Sequence, residues 1–260
     1  MSKLSAYRLT EMTWEEVQHA LQTVKMVLIP LGAHEQHGPH MVESCDAVLA
    51  EKFAYKLAEK WFPEVMVTPT INMGVSPHHL NFPGTISLQP DTLISILRDM
   101  ISSLRRHGLR KFLVINSHGG NQPTLSVAST VLSQELDVEV YFAKTTASAK
   151  TAIQKHVKST LFGHSCEREV SEALYLAPDL VRVERMSKGD IQEGRRWEAL
   201  RPGKPIQGFY HYEEMTGNGC IGDARHASQE AGKEIVEEAL ENISRAIEQL
   251  IHGTGSVQKQ

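Results

Sequence analysis

Hydrophobic positions along the chain follow two alternating periods. Short apolar runs at Met26 to Leu31, Val65 to Ile71, Lys111 to Asn116 and Val138 to Lys144 have the length and the aliphatic, β-branched content of strands. Between them apolar residues return every three or four positions. Val48, Leu49, Phe53, Leu57 and Trp61 mark one face of a helix from Asp46 to Trp61. Thr13-Trp14-Glu15-Glu16 has capping-box spacing and opens a helix to about Gln22. Pro90-Asp91-Thr92 opens another to about His107, which Gly108 closes. Pro123 to Glu135 is helical, and the segment Gly163 to Ser171 leads into a helix ending near Ala177-Pro178. Ala224 to His252 predicts a long amphipathic helix with Ile235, Ala239, Ile243, Ile247 and Leu250 on one face. Strands alternating with helices predict an α/β fold: a three-layer α/β/α sandwich on a mostly parallel sheet of four or more strands.

Two stretches lack this periodicity. Thr145 to Leu161 is polar and partly helical, and Met186 to Gly222 is rich in Gly, Pro and charge. The second predicts loops with short strands, serving as an oligomer contact or a lid over a site. The expected organisation is one domain over residues 1–252 and a disordered tail over 253–260.

Composition narrows the classes of partner. The chain has 260 residues, is 41% hydrophobic and 22% charged, and carries a net charge of -4 without a basic block or acidic tail. Nothing electrostatic points to nucleic acid or a membrane surface, so a small-molecule substrate is expected. The first sixteen residues have no apolar core of signal-peptide length and no segment is long enough to cross a bilayer, which predicts a cytoplasmic protein. Cys45, Cys166 and Cys220 are widely spaced and odd in number, as reduced thiols would be.

Chemistry concentrates at strand ends. The run Val27-Leu28-Ile29-Pro30-Leu31 stops at Gly32 and releases Glu35, His37 and His40, with Asp46 just beyond. Carboxylate oxygens beside imidazoles suit zinc, manganese or iron, and a carboxylate can bridge two such ions. A solvated loop has no need of His34, His37 and His40 within seven positions. The strand at Lys111 to Asn116 likewise runs straight into Ser117-His118-Gly119-Gly120-Asn121. In an open parallel sheet, ligands collect at the carboxyl ends of strands. Among the other histidines, His34 neighbours Glu35 in extended chain and should point away, whereas His78 stays unassigned.

Five runs in order, LGAHEQHGPH with Asp46, NFPGTISL, INSHGGN, HSCEREVS and GDARHASQEAG, resemble the creatininase (creatinine amidohydrolase) family over roughly Val27 to Gly232. The resemblance implies a three-layer fold, a homo-oligomer (a hexamer) and a two-metal site that hydrolyses amide-type C–N bonds. It assigns Glu35, His37, Asp46 and His118 as ligands of two divalent ions, with Asp46 bridging, and makes Glu169 the fifth ligand. Zinc is the first assignment, with manganese or iron as alternatives. His164 matches a histidine near the substrate and, with Glu167, is the candidate for proton transfer. Ser76, His79 and Gly119 are the candidate substrate contacts. Helical spacing sets Glu169 and Glu172 on one face and turns Glu167 about 200° from Glu169. That leaves Glu172 as an exposed partner of Arg168.

Departures from the family pattern bear on the substrate. Creatininase has a carboxylate ligand two positions after the histidine of its third-strand motif, where this chain has Gly120. Its aromatic and acidic substrate contacts fall at about Thr160, Leu161 and Gly163. The SHGGN form looks like the branches that include formamide deformylases and peptide-trimming enzymes. The function this implies is hydrolysis of a non-standard amide (cyclic amide, formamide or related small molecule) by metal-activated water. The alternatives are creatinine amidohydrolase proper and a catalytically inactive metal- or ligand-binding member. Chelator-sensitive hydrolysis with two ions per chain separates the catalytic readings from the inactive one.

Overall fold

The apolar run Met26–Leu31 becomes the central strand of the sheet in the computed structural model, which describes residues 5–253. In chain order the elements are β1 (Tyr7–Arg8), α1 (Trp14–Ala20), β2 (Met26–Leu31), α2 (Cys45–Lys60), β3 (Val65–Val67), α3 (Pro90–Arg105) and β4 (Lys111–Asn116). They continue with α4 (Gln122–Leu136), β5 (Glu139–Lys144), α5 (Lys150–His156), α6 (Glu167–Leu176), α7 (Trp197–Leu200) and α8 (Gln229–His252). The sheet order is β1-β3-β2-β4-β5, with every pair parallel.

Alternation along the strands builds the three layers. Val27, Ile29 and Leu31 of β2 pack with Leu93, Leu97 and Ile101 of α3 and Leu125 and Leu132 of α4. Met26 and Leu28 face the other way, onto Phe53 and Leu57 of α2 and Ile235, Ala239, Ile243 and Ile247 of α8. Pro30 sits in this central strand without loss of a ladder bond. A residue's N and C=O point to the same side of a strand, and the Pro30 carbonyl accepts from Ile71, where β3 has already ended.

Several boundaries differ from expectation. The second strand ends at Val67 rather than Ile71, because Thr68-Pro69 leaves the ladder; Ile71 returns as an isolated bridge to Leu31. The last helix starts at Gln229, capped by the Ser228 side chain, and Ala224–His226 forms a 3₁₀ turn instead. β1 has only two residues, too few to show a period. Between residues 186 and 222 the structure has α7 and isolated bridges Lys188↔Asp223 and Ile191↔Thr216 in place of strands, packed around buried Trp197, Met215 and Ile221. All three cysteines are free and buried. Among the described residues no helix is long and apolar enough to cross a membrane. Of the expected tail, only Gly253 lies within the described residues.

Helix α6 is the exception to amphipathic packing. A Cβ on Gly232 of α8 would lie 1.8 Å from the Ser171 carbonyl, so the two helix backbones touch. The contact leaves α6 little open face, and its charged residues Glu167, Arg168, Glu169 and Glu172 are all buried. The expectation that Glu172 is exposed fails for that reason.

Candidate metal centre

Three strand ends and two helix starts deliver the site. β2 stops at Gly32, whose Cβ would fall 2.2 Å from the Ala47 nitrogen; the glycine lets the first turn of α2, with Asp46, close onto the strand end. Beyond β4, Asn121 donates to the carbonyl of Gly32 (3.0 Å) and to Asn116 Oδ1 (3.0 Å) and accepts from the Val75 N–H (2.8 Å). One amide thus ties the ends of β2 and β4 to the loop that carries Ser76, His78 and His79. Helix α6 begins after Ser165, which is held at positive φ (50°) by bonds from its hydroxyl to the His37 carbonyl (2.5 Å) and from its N–H to Glu169 Oε2 (2.6 Å).

The side chains so gathered form sets of possible donors: Glu35 with His37 and Asp46; Glu35 with His78 and His118; Glu35 with His79 and His164; and His37 with His164 and Glu169. Asp46 lies between two imidazoles, with Oδ1 3.5 Å from His37 Nε2 and Oδ2 3.2 Å from His118 Nδ1. Glu35 Oε1 lies 3.1 Å from His118 Nδ1, 3.5 Å from His79 Nε2 and 3.7 Å from His164 Nδ1. The far nitrogens are held by carbonyls: His37 Nδ1 by Glu35 O (3.1 Å), His118 Nε2 by Val75 O (3.1 Å) and His164 Nε2 by Gln36 O (2.7 Å). Such bonds fix the ring orientation and keep a proton on the far nitrogen, so the site-facing nitrogen becomes the lone pair once a cation displaces its proton, as is usual for metal-ligating histidines.

Charge balance supports the same reading. Burial is the largest single influence on His37 and lowers its pKa, but the Asp46 carboxylate beside it, together with Glu35 and Glu169, outweighs burial and lifts it to about 9. His118 is likewise lifted to about 10, against burial, by Glu35 and Asp46. Asp46 is held well below the carboxylate range because the two imidazolium groups outweigh its burial. Glu35 Oε2 is buried without a hydrogen-bond partner among the described residues, and Asp46 Oδ2 has only the 3.2 Å approach of His118 Nδ1. Carboxylate oxygens so sparsely partnered, facing imidazoles that must carry protons in the ion-free state, fit a site for divalent cations. Metal uptake by stripped protein at pH 7 is therefore expected to release about two protons per chain, one each from His37 and His118. Affinity should rise with pH until both have ionised. The proton count is the dependence of calorimetric enthalpy on buffer ionisation enthalpy; a value near zero would show both rings already neutral.

Not every expected site residue arrives. Ser76 is fully buried behind His118, its Oγ 3.2 Å from Nε2, so it steadies that ring and does not line the cavity. Glu167 faces away and does not line the cavity: its carboxylate accepts from the backbone of Lys158 (3.2 Å), Ser159 (2.8 Å) and Asp223 (3.0 Å), which pins two loops. His40 is buried with Nε2 on the Ser165 carbonyl (2.9 Å), outside every donor set. His34 turns outward to Glu43, as expected. Glu169, His79, Gly119 and His164 all line the cavity of about 450 Å³ above the donors.

His78, Lys144, Tyr212 and Gln36 complete the site. Lys144, at the end of β5, is the one lysine or arginine among the described residues that lines the cavity, and Tyr212 packs on His79 with ring centroids 4.0 Å apart. Gln36 donates to His79 Nδ1 (2.9 Å) and to the Gly219 carbonyl (3.1 Å). Only the position of Lys144 at a strand end was a usable signal. Tyr212 comes from the aperiodic stretch, which together with Pro202, Phe209 and Tyr210 roofs the cavity.

The fold and donor set define a class: a doubly wound parallel sheet that gathers carboxylates and imidazoles at its strand ends around a small-molecule cavity. The profile of the creatininase family, described as creatinine amidohydrolase, matches residues 10–247, and the chain belongs to that family. It is therefore a creatininase-family amidohydrolase. It is 26% identical over 263 residues to the 3-dehydro-scyllo-inosose hydrolase of Thermotoga maritima, covering 92% of this chain and 82% of that one. It is 26% identical over 228 residues to the mycofactocin precursor peptide peptidase of Mycolicibacterium smegmatis, covering 86% and 85%. A mutant creatininase solved in a Zn-Zn form superposes with a TM-score of 0.81 at 28% identity, covering 96% of this chain and 100% of that one.

Proposed function

We propose that the protein hydrolyses a non-standard amide C–N bond, in a cyclic amide, formamide or related small molecule, with two divalent ions held by Glu35, His37, Asp46, His118 and Glu169. Zinc is the first assignment, and manganese or iron would suit the same donors. The observation that carries the reading is the placement of buried Asp46 between His37 Nε2 and His118 Nδ1, in the first turn of α2 at the floor of the cavity. Bound ions would supply an activated water and a Lewis acid for the substrate carbonyl.

The chain's own residues handle protons and orientation. His164 donates Nε2–H to Gln36 O, so its Nδ1 offers a lone pair to the cavity. Burial pushes its pKa down, so the ring is neutral at pH 7, and as a weak base Nδ1 would hold a proton only in transit to the leaving nitrogen. His79 accepts from Gln36 at Nδ1 and so carries its proton at Nε2, which has no hydrogen-bond partner among the described residues. That N–H, 3.5 Å from Glu35 Oε1, could donate instead to a substrate oxygen. Gly119 keeps the cavity wall open toward Lys144, whose Nζ would lie 3.9 Å from a Cβ there. The roof of Phe209, Tyr210 and Tyr212 offers aromatic faces against which a flat ring or acyl group could pack.

The test is a metal-loaded activity screen across creatinine, formamidopyrimidines, lactams and short peptides, repeated after chelation. Chelator-sensitive hydrolysis of a cyclic amide or formamide is expected. Activity unchanged in metal-free protein, or none with full metal content, would overturn the proposal. Creatinine should be turned over at least about a hundred-fold less efficiently than by a dedicated enzyme. Thr160 and Leu161 line a different cavity, beside Lys188 and Asp190, and Gly163 offers no side chain. Each unmet polar contact costs about 1–3 kcal/mol.

A further inference from the structure

We propose that His78 is a ligand of the ion gathered by Glu35 and His118. The inference rests on the two-metal reading above and adds a donor that it does not use. Ring nitrogens of His78 and His118 and a carboxylate oxygen of Glu35 all lie within 4.8 Å of one another. Two donors on one zinc-like ion are about 3–4 Å apart. His78 is the one half-buried member of the set, so a shift of about an ångström in its ring closes the difference.

Its surroundings orient the ring and leave its nitrogens free. The His78 ring lies nearly parallel to that of His118, with centroids 5.7 Å apart and an interplanar angle of 9°. His79 (4.4 Å) and Tyr212 (5.1 Å) hold it from the side. His37, His118 and His164 each commit a nitrogen to a carbonyl. No hydrogen bond or ion pair engages either ring nitrogen of His78 among the described residues.

Gly120 gives the reason a donor must come from here. A Cβ at that position would fall 2.3 Å from His118 Nε2, 2.4 Å from the Val75 carbonyl and 2.8 Å from His78 Cε1. No side chain can project from residue 120 with the loop at Val75 where it is, so the segment after His118 cannot offer a second donor there. The His78 ring takes that space. With His78, the ion near Glu35 has two imidazoles and the carboxylates of Glu35 and Asp46, while His37, Glu169 and the other Asp46 oxygen serve its neighbour. A second nitrogen donor favours zinc over manganese at the first position.

The test uses full-length protein stripped of metal, titrated with Zn²⁺ and Mn²⁺ against a competing chromophoric chelator, and with Co²⁺ for its visible d–d spectrum. Wild type should take up two ions per chain. His78→Gln, which keeps polarity and approximate volume, should weaken one zinc site about ten-fold or more, weaken manganese less, and change the Co²⁺ spectrum. His78→Asp, which restores a ligand, should recover most of the zinc affinity, and thermal melts should show all three proteins folded. Two ions in wild type with unchanged dissociation constants and Co²⁺ spectrum in His78→Gln would overturn the role of His78 alone. Failure of wild type to bind any divalent ion would overturn it together with the two-metal reading.

Discussion

Asp46→Ala is expected to lose both metal ions and at least about a thousand-fold in activity, whereas His118→Ala loses mainly one ion. The Asp46 oxygens face different partners, Oδ1 toward His37 Nε2 at 3.5 Å and Oδ2 toward His118 Nδ1 at 3.2 Å. A carboxylate so placed could serve two cations, a terminal imidazole only one. Its removal also leaves His37 and His118 with only Glu35 and the more distant charge of Glu169 to balance them, which makes the pocket less receptive to any cation. Loss of several kcal/mol of transition-state stabilisation corresponds to roughly a thousand-fold or more in rate. The fold should survive, because truncation removes a small side chain that the hydrophobic clusters do not use. Elemental analysis of the purified variants decides it: two ions per chain in Asp46→Ala would show that this carboxylate does not join the sites.

Arg168→Met should cost about 3–5 kcal/mol of folding stability, or roughly 10 °C in melting temperature for a domain of this size. Arg168 is buried and divides its guanidinium between two buried carboxylates, with Nη2 on Glu169 Oε1 (2.8 Å) and Nη1 on Glu172 Oε1 (3.1 Å); Nη1 also donates to Thr146 Oγ1 (2.7 Å). Methionine fills the volume but leaves both carboxylates uncompensated. Burial already holds the Glu172 pKa above the ordinary range, with the Arg168 charge pulling it down, so removing the arginine raises it further. A carboxyl with a raised folded-state pKa binds more protons folded than unfolded, and the variant must gain stability as pH falls. The deficit against wild type should therefore narrow between about pH 8 and pH 5. A loss below about 1 kcal/mol, or one independent of pH, would show that the pair is solvated in the folded protein.

What could be read from the sequence is the part with short-range causes. The four main strands follow from unbroken aliphatic runs, and α2 and α3 from apolar residues repeating at helical spacing. Glu35, His37, Asp46 and His118 were legible because each lies within a few residues of a strand end or a helix start, where local chain direction alone carries it toward the carboxyl edge of the sheet. The family motifs added Glu169 and His164.

The tertiary structure decided the residues whose roles depend on segments far apart in the chain. Spacing made Glu172 a surface partner of Arg168, but contact between the backbones of α6 and α8 at Gly232 buries the whole charged turn. Glu167 and Glu169 share one helical turn, yet loop amides at Lys158, Ser159 and Asp223 claim the first, while the second faces the donors. Ser76 and His78 are two residues apart: Asn121 fixes their loop so that one lies behind His118 and the other beside it. Tyr212 reaches the cavity from a stretch with no periodicity at all. The sequence by itself determined which donors stand at the strand ends, since periodicity and turn chemistry act over a few residues. Which nitrogen or oxygen points inward was decided by packing between distant segments, because close contacts and carbonyl partners exist only once the layers have met.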